Sequence, residues 1–137
     1  MQAGFNAKRS PACEPDLMPI RALLVDDNES FLAAASGLLE GEGLSVVGTA
    51  NDGAEAHQLT ARLLPDVILV DIVLGAESGF DLARTLVADH EPTPAVILIS
   101  THAESDFADL VAGSPARGFI PKSELSAAPI RRILGLS

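Results

Sequence analysis

The chain has 137 residues, room for one domain that buries about two-thirds of the surface its unfolded form exposes. Hydrophobic residues make up 47% of it and aromatics only 4%, so the core must be aliphatic. The formal net charge is −10, to which residues 1–19 contribute nothing because Lys8 and Arg9 offset Glu14 and Asp16; a surface this acidic, with no Lys/Arg stripe, argues against direct binding to nucleic acid or to anionic membrane.

Residues 1–19 hold three prolines and no hydrophobic periodicity, and read as a flexible leader. Lys8-Arg9 has no apolar stretch behind it, so a signal peptide is not expected. Cys13 is the only cysteine, which excludes a disulfide framework, and no run approaches the roughly 18 apolar residues of a membrane span. A cytoplasmic location is the expectation.

From residue 20 the pattern alternates between aliphatic strands and amphipathic helices. Ile20–Val25 is the first strand. Asn28 then caps a helix over Glu29–Glu40, with Phe31, Leu32, Ala35, Leu38 and Leu39 at helical spacing and Gly41 and Gly43 ending it. Leu44–Val47 is the second strand, and Asp52-Gly53 opens a helix to about Leu64. Asp66, after Pro65, reads as turn chemistry before the third strand, Val67–Val70.

Ser78 or Gly79 starts a helix to about Asp89. Pro92-Thr93-Pro94 separates it from the fourth strand, Ala95–Ile99. A fourth helix is expected over Glu104–Ala112 and a short fifth strand over Gly118–Ile120. The last helix begins near Ser126, tolerates Pro129 in its first turn and runs to Leu134. Arg131 and Arg132 suit its C-terminal dipole.

Five βα units with short loops imply a parallel sheet covered by helices on both faces, an α/β class fold in three layers, α/β/α.

The first and third strands each stop on acid: Val25 runs into Asp26-Asp27 and Val70 into Asp71. In an open parallel sheet the carboxyl ends of the strands line the ligand-binding edge. Three carboxylates there repel one another and call for a positive partner. They offer the hard oxygen ligands that Mg²⁺ prefers, and a spare carboxylate could form an acyl phosphate. Ser100 follows the fourth strand directly and Lys122 follows the fifth, so a hydroxyl and a fixed cation reach the same edge. His57 and His90 read as helix-surface residues; with no second ligand at helical spacing a metal site there is not expected, and His102 reads as a solvated loop residue.

The set Val25-Asp26-Asp27, Val70-Asp71, Ile99-Ser100 and Pro121-Lys122 resembles the receiver domain of two-component response regulators. The segment Gly118–Leu125 is most similar to receivers of the helix-turn-helix transcription-factor subfamily. The resemblance spans residues 20 to about 135 and implies a receiver domain over 20–137 with the flavodoxin-like strand order 2-1-3-4-5.

It further implies that Asp71 accepts a phosphoryl group from a sensor histidine kinase or a phosphotransfer protein. Asp26, Asp27, Asp71 and the backbone carbonyl of Val73 would hold Mg²⁺. Ser100 and Lys122 would contact the phosphoryl group, and Ser100 and Phe119 would form the switch. As a plain strand aromatic, Phe119 would instead be simply buried.

The chain then signals rather than catalyses, apart from self-catalysed phosphotransfer and autodephosphorylation. With no output domain after Ser137, it is expected to act alone, through an unknown protein target and a homodimer by the face of helix four, strand five and helix five. Alternatives are a receiver-like interaction module that works without phosphorylation, or the receiver fragment of a DNA-binding regulator. Leu74-Gly75 stands where many receivers have Met-Pro, and implies a looser loop after Asp71; Gly79 keeps the family's later glycine. A flavodoxin-type cofactor site is disfavoured, because Asp26-Asp27-Asn28-Glu29 would repel a phosphate.

Overall fold

The computed structural model describes residues 19–136. The expected leader and Cys13 lie outside the described residues, Pro19 apart.

Five strands form one parallel sheet: β1 (Arg21–Val25), β2 (Ser45–Ala50), β3 (Val67–Asp71), β4 (Ala95–Ser100) and β5 (Gly118–Pro121). Its spatial order is β2-β1-β3-β4-β5, the order the resemblance implied. Five helices connect and cover it: α1 (Glu29–Gly41), α2 (Gly53–Leu63), α3 (Gly79–Asp89), α4 (Ala108–Ala112) and α5 (Ala127–Ile133). Among the described residues, no helix is long and apolar enough to cross a membrane.

Alternate residues of each strand face opposite layers. Ala22, Leu24, Leu69, Ile97 and Ile99 pack with Leu32, Ala35 and Leu39 of α1 and Ile130 of α5. Leu23, Val25, Ile68, Val70 and Leu98 pack on the other face with Ala56 of α2 and Phe80, Ala83 and Leu86 of α3. Because β3 and β4 are covered on both sides, Val67–Asp71 and Ala95–Ser100 are buried throughout.

The helix boundaries follow local chemistry. Asn28 caps α1 through its side chain, accepting from Phe31 N at 3.1 Å. At the other end Gly43 adopts φ +98°, and Leu44 N donates back to Leu39 O at 3.0 Å. Ser78 caps α3 and Asp52 caps α2. The side chain of Ser126 caps nothing; Glu42 does that work from the far end of α1, its Oε1 accepting from Ala127 N at 2.6 Å.

Three elements depart from the sequence expectation. β2 runs three residues beyond Val47, because Gly48, Thr49 and Ala50 pair with Leu23, Leu24 and Val25. A register shift between Ala22 and Leu23 makes this pairing, and residues so short and mixed in polarity carry no strand signal. The fourth helix is split, with a 3₁₀ turn at Glu104–Asp106 preceding α4.

The third departure follows Asp71. Val73–Leu74 and Glu77–Ser78 form a small antiparallel hairpin closed by Gly75 at φ +58°. Proline cannot take that angle, so the turn as built calls for glycine. Glu77 Oε1 also accepts from Gly53 N at 2.8 Å, tying the hairpin to the start of α2.

Candidate functional site

The parallel register carries the acids, the hydroxyl and the lysine to one edge. Val25 pairs with Val70, Asp71 with Ile99, and Ser100 with Pro121, so Asp26, Ser100 and Lys122 each sit at or just past the last row of their strands. Asp26, Asp27 and Asp71 present carboxylate oxygens that all lie within 4.8 Å of one another. Asp26 and Asp71 are buried and Asp27 is exposed, so the cluster opens to solvent on the Asp27 side.

Lys122 supplies the fixed positive partner. Its Nζ lies 2.5 Å from Asp26 Oδ2 and 3.3 Å from Asp71 Oδ2, and only the Asp71 contact has hydrogen-bond geometry. Asp26 Oδ1 accepts from Asn28 N at 2.9 Å. Asp26 Oδ2 is buried with no hydrogen-bond partner among the described residues, so a lone pair in close charge contact still lacks a directed donor. A buried carboxylate oxygen of this kind suits a cation. The donor set of three carboxylates is hard oxygen, which fits Mg²⁺ and not a thiophilic metal.

Asp71 Oδ1 accepts from Val73 N at 3.2 Å. Burial, followed by the charge of Asp26, holds the Asp71 carboxyl above the ordinary carboxylate range. The Lys122 charge and the hydrogen bonds from Val73 and Lys122 pull it part of the way back.

The Ser100 hydroxyl is engaged within its own loop, accepting from His102 N at 3.0 Å. Phe119 is buried in the core shared with α2 and α3, as a plain strand aromatic would be. Val73 presents its amide to Asp71 and its side chain to solvent. His102 is exposed, as expected of a loop residue, yet its ring stands edge-on to Phe107 with centroids 5.8 Å apart.

Two features escaped the sequence reading. Phe31, taken for part of the α1 core stripe, lies only partly buried, with its ring 4.3 Å from Lys122 Nζ. A helix pattern says that Phe31 faces inward but not that it meets a cation from β5. His57 and His90, expected to be separate surface residues, are in hydrogen-bond contact across α2 and α3. They are 33 residues apart, and no periodicity reports such a pairing.

Comparison with known proteins agrees with this geometry. The family model described as "Response regulator receiver domain" matches residues 22–133. Protein-glutamate methylesterase/protein-glutamine glutaminase 6 of Anaeromyxobacter dehalogenans is 37% identical over 118 residues, covering 84% of this chain and 33% of that protein. The chain spans about a quarter to a third of the length of the methylesterases it matches.

Among solved structures, the signal receiver domain of the putative response regulator NarL from Mycobacterium tuberculosis superposes with a TM-score of 0.72 at 29% identity. The match covers 85% of this chain and 98% of that one. A response regulator protein from Burkholderia pseudomallei, solved with a phosphorylated aspartic acid and a calcium ion, superposes with a TM-score of 0.71 at 26% identity over 82% of this chain and 65% of that one. Sheet order, acid cluster, lysine and family match agree, and the chain belongs to the response regulator receiver domain family.

Proposed function

We propose that this receiver accepts a phosphoryl group on Asp71 from a histidine kinase or phosphotransfer protein and signals through a change in protein–protein binding. The observation that carries the reading is the contact of one lysine ammonium with two buried carboxylates, Asp26 and Asp71, beside a third, Asp27. The related Burkholderia pseudomallei regulator with a phosphorylated aspartic acid supports it.

In the transfer, an Asp71 carboxylate oxygen forms a bond to phosphorus as the donor's phosphorus–nitrogen bond breaks, and the nitrogen keeps the electron pair. Asp26, Asp27, Asp71 and the Val73 carbonyl would hold Mg²⁺, which neutralises phosphoryl oxygen charge when bound. Lys122 stays beside Asp71 and pairs with the incoming negative charge. The Val73 amide steadies the carboxylate from the other side. Ser100 exchanges its bond from His102 N for one to the phosphoryl group, and Phe119 repacks with it.

The alternative of a phosphorylation-independent module rested on looseness after Asp71. That segment is folded as a hairpin over Val73–Ser78 and tied to α2 through Glu77, which favours the phosphoacceptor reading.

The test is incubation with acetyl phosphate and Mg²⁺, followed by intact-mass measurement. The expected result is one added phosphoryl group in the wild type and none in Asp71→Asn. No addition in the wild type, or the same addition in Asp71→Asn, would sink the proposal.

A further inference from the structure

Two imidazoles outside the acid cluster meet across α2 and the end of α3. His57, on α2, places Nδ1 2.8 Å from Nε2 of His90, the residue that follows α3. The rings are 5.0 Å apart between centroids and inclined by 26°. Both residues are half-buried, so solutes reach them.

The second nitrogen of His57 fixes how the pair is protonated. His57 Nε2 lies 2.8 Å from Thr85 Oγ1, and that hydroxyl donates its own proton to the Leu82 carbonyl at 3.1 Å. A hydroxyl whose proton is committed can only accept from the ring, which assigns the His57 proton to Nε2. His57 Nδ1 is then a lone pair aimed at His90. Two bare lone pairs do not face each other at 2.8 Å, so something positive must lie between them. A proton on His90 Nε2 does this in the hydrogen-bonded pair, and a metal ion bound by both nitrogens would do the same.

We propose that His57 Nδ1 and His90 Nε2 form a two-histidine site for a late first-row divalent transition metal, Zn²⁺ for example, with water completing the coordination. Zn–N bonds of about 2.0–2.1 Å at a tetrahedral angle set the nitrogens about 3.3 Å apart. The pair therefore opens by roughly half an ångström, within reach of small side-chain rotations. Thr85 acts as the outer partner that orients a ligating histidine, since it accepts the other ring N–H.

Burial, followed by the neighbouring His57, holds His90 below the ordinary histidine range, against the opposing charge of Asp89. Glu77 and Asp81 line the same cleft as His57, with Glu77 accepting from Gly53 N and Asp81 ion-paired to Arg84. Imidazole nitrogens suit zinc or copper while the carboxylates of Asp26, Asp27 and Asp71 suit Mg²⁺, so the two sites sort metals by hardness.

The experiment titrates Zn²⁺ calorimetrically into the full chain, with Mg²⁺ in excess to occupy the acid pocket. The expected result is that His57→Asn and His90→Asn each lose one equivalent of bound Zn²⁺ relative to the wild type. Folding of each variant is checked by thermal melting in chelator. As a readout that needs no substitution, the ¹⁵N imidazole resonances of His57 Nδ1 and His90 Nε2 are expected to shift together as Zn²⁺ is added. Unchanged stoichiometry in both folded variants, or resonances that stay in place, overturns the proposal.

Discussion

The Lys122 ammonium lies closer to Asp26 than to Asp71, at 2.5 Å against 3.3 Å. One cation thus serves two buried carboxylates, and its shorter contact is to Asp26 Oδ2, a buried oxygen that forms no hydrogen bond of good geometry among the described residues. Asp71 has the longer contact but the one with hydrogen-bond geometry, and burial, followed by the charge of Asp26, holds its carboxyl above the usual range against the pull of Lys122. A lysine held between two acids is well placed to shift its weight when negative charge builds on one of them. The ring of Phe31, 4.3 Å from Nζ, keeps it over the pocket meanwhile.

The raised Asp71 pKa gives a stability prediction with a definite sign. The folded chain binds a proton at Asp71 more tightly than the unfolded chain, whose ordinary value is 3.8. That stabilisation is complete below 3.8 and is lost as pH rises through the higher folded value, so at neutral pH the charged Asp71 destabilises the fold. Asp71→Asn is expected to raise stability at pH 7 in chelator by on the order of 1 kcal/mol, with the gain shrinking as pH falls toward 4. Urea unfolding at several pH values checks it, and a gain that does not vary with pH would contradict it.

Mg²⁺ should stabilise the chain by linkage, by about 2.7 kcal/mol at a hundredfold excess over its dissociation constant. Asp27, exposed at the mouth of the cluster, can be changed without opening the core. Asp27→Ala is therefore expected to fold normally and to lose most of the Mg²⁺-dependent rise in melting temperature. Melting with and without Mg²⁺ decides the matter.

Gly79→Ala should be severe. A Cβ at that position would overlap the Asp71 carbonyl oxygen and stand 2.7 Å from Ile72 Cα, both backbone atoms with nowhere to go. We expect a loss of about 3 kcal/mol or more, together with a displaced Asp71, read as a lower melting temperature and slower phosphorylation.

Glu42→Ala removes the acceptor for Ala127 N, and the Ser126 side chain offers no replacement. The expected cost is about 1 kcal/mol. Hydrogen exchange should localise the effect to the first turn of α5. Uniform exchange across the molecule would contradict a local capping role.

Much of the fold was legible because it rests on short-range signals. Continuous aliphatic runs marked β1, β3 and β4, and Asn28, Asp52 and Ser78 marked helix starts by their capping chemistry. The acid cluster was legible for a topological reason: once the strands are parallel, residues that follow them share an edge. The rest depends on register and three-dimensional approach. Gly48–Ala50 becomes strand only because β1 lies beside it with a shifted register. Gly75 read as looseness, since sequence alone does not reveal that its left-handed turn closes a hairpin. The His57–His90 contact and the reach of Phe31 to Lys122 join residues far apart in the chain, so no local pattern encodes them.

The sheet order has a mechanical consequence. Asp71 ends β3, the middle strand, held by ladders to β1 and β4, whereas Phe119 lies on β5, an edge strand with a single neighbour among the described residues. Phe119 and Ile120, adjacent on that strand, are embedded in opposite cores. A tug at the end of β5 through Lys122 strains one ladder only and is felt in both helical layers at once. Charge would arrive at an anchored point and be read out by a hinged one, much as a fixed bearing lets a free arm swing.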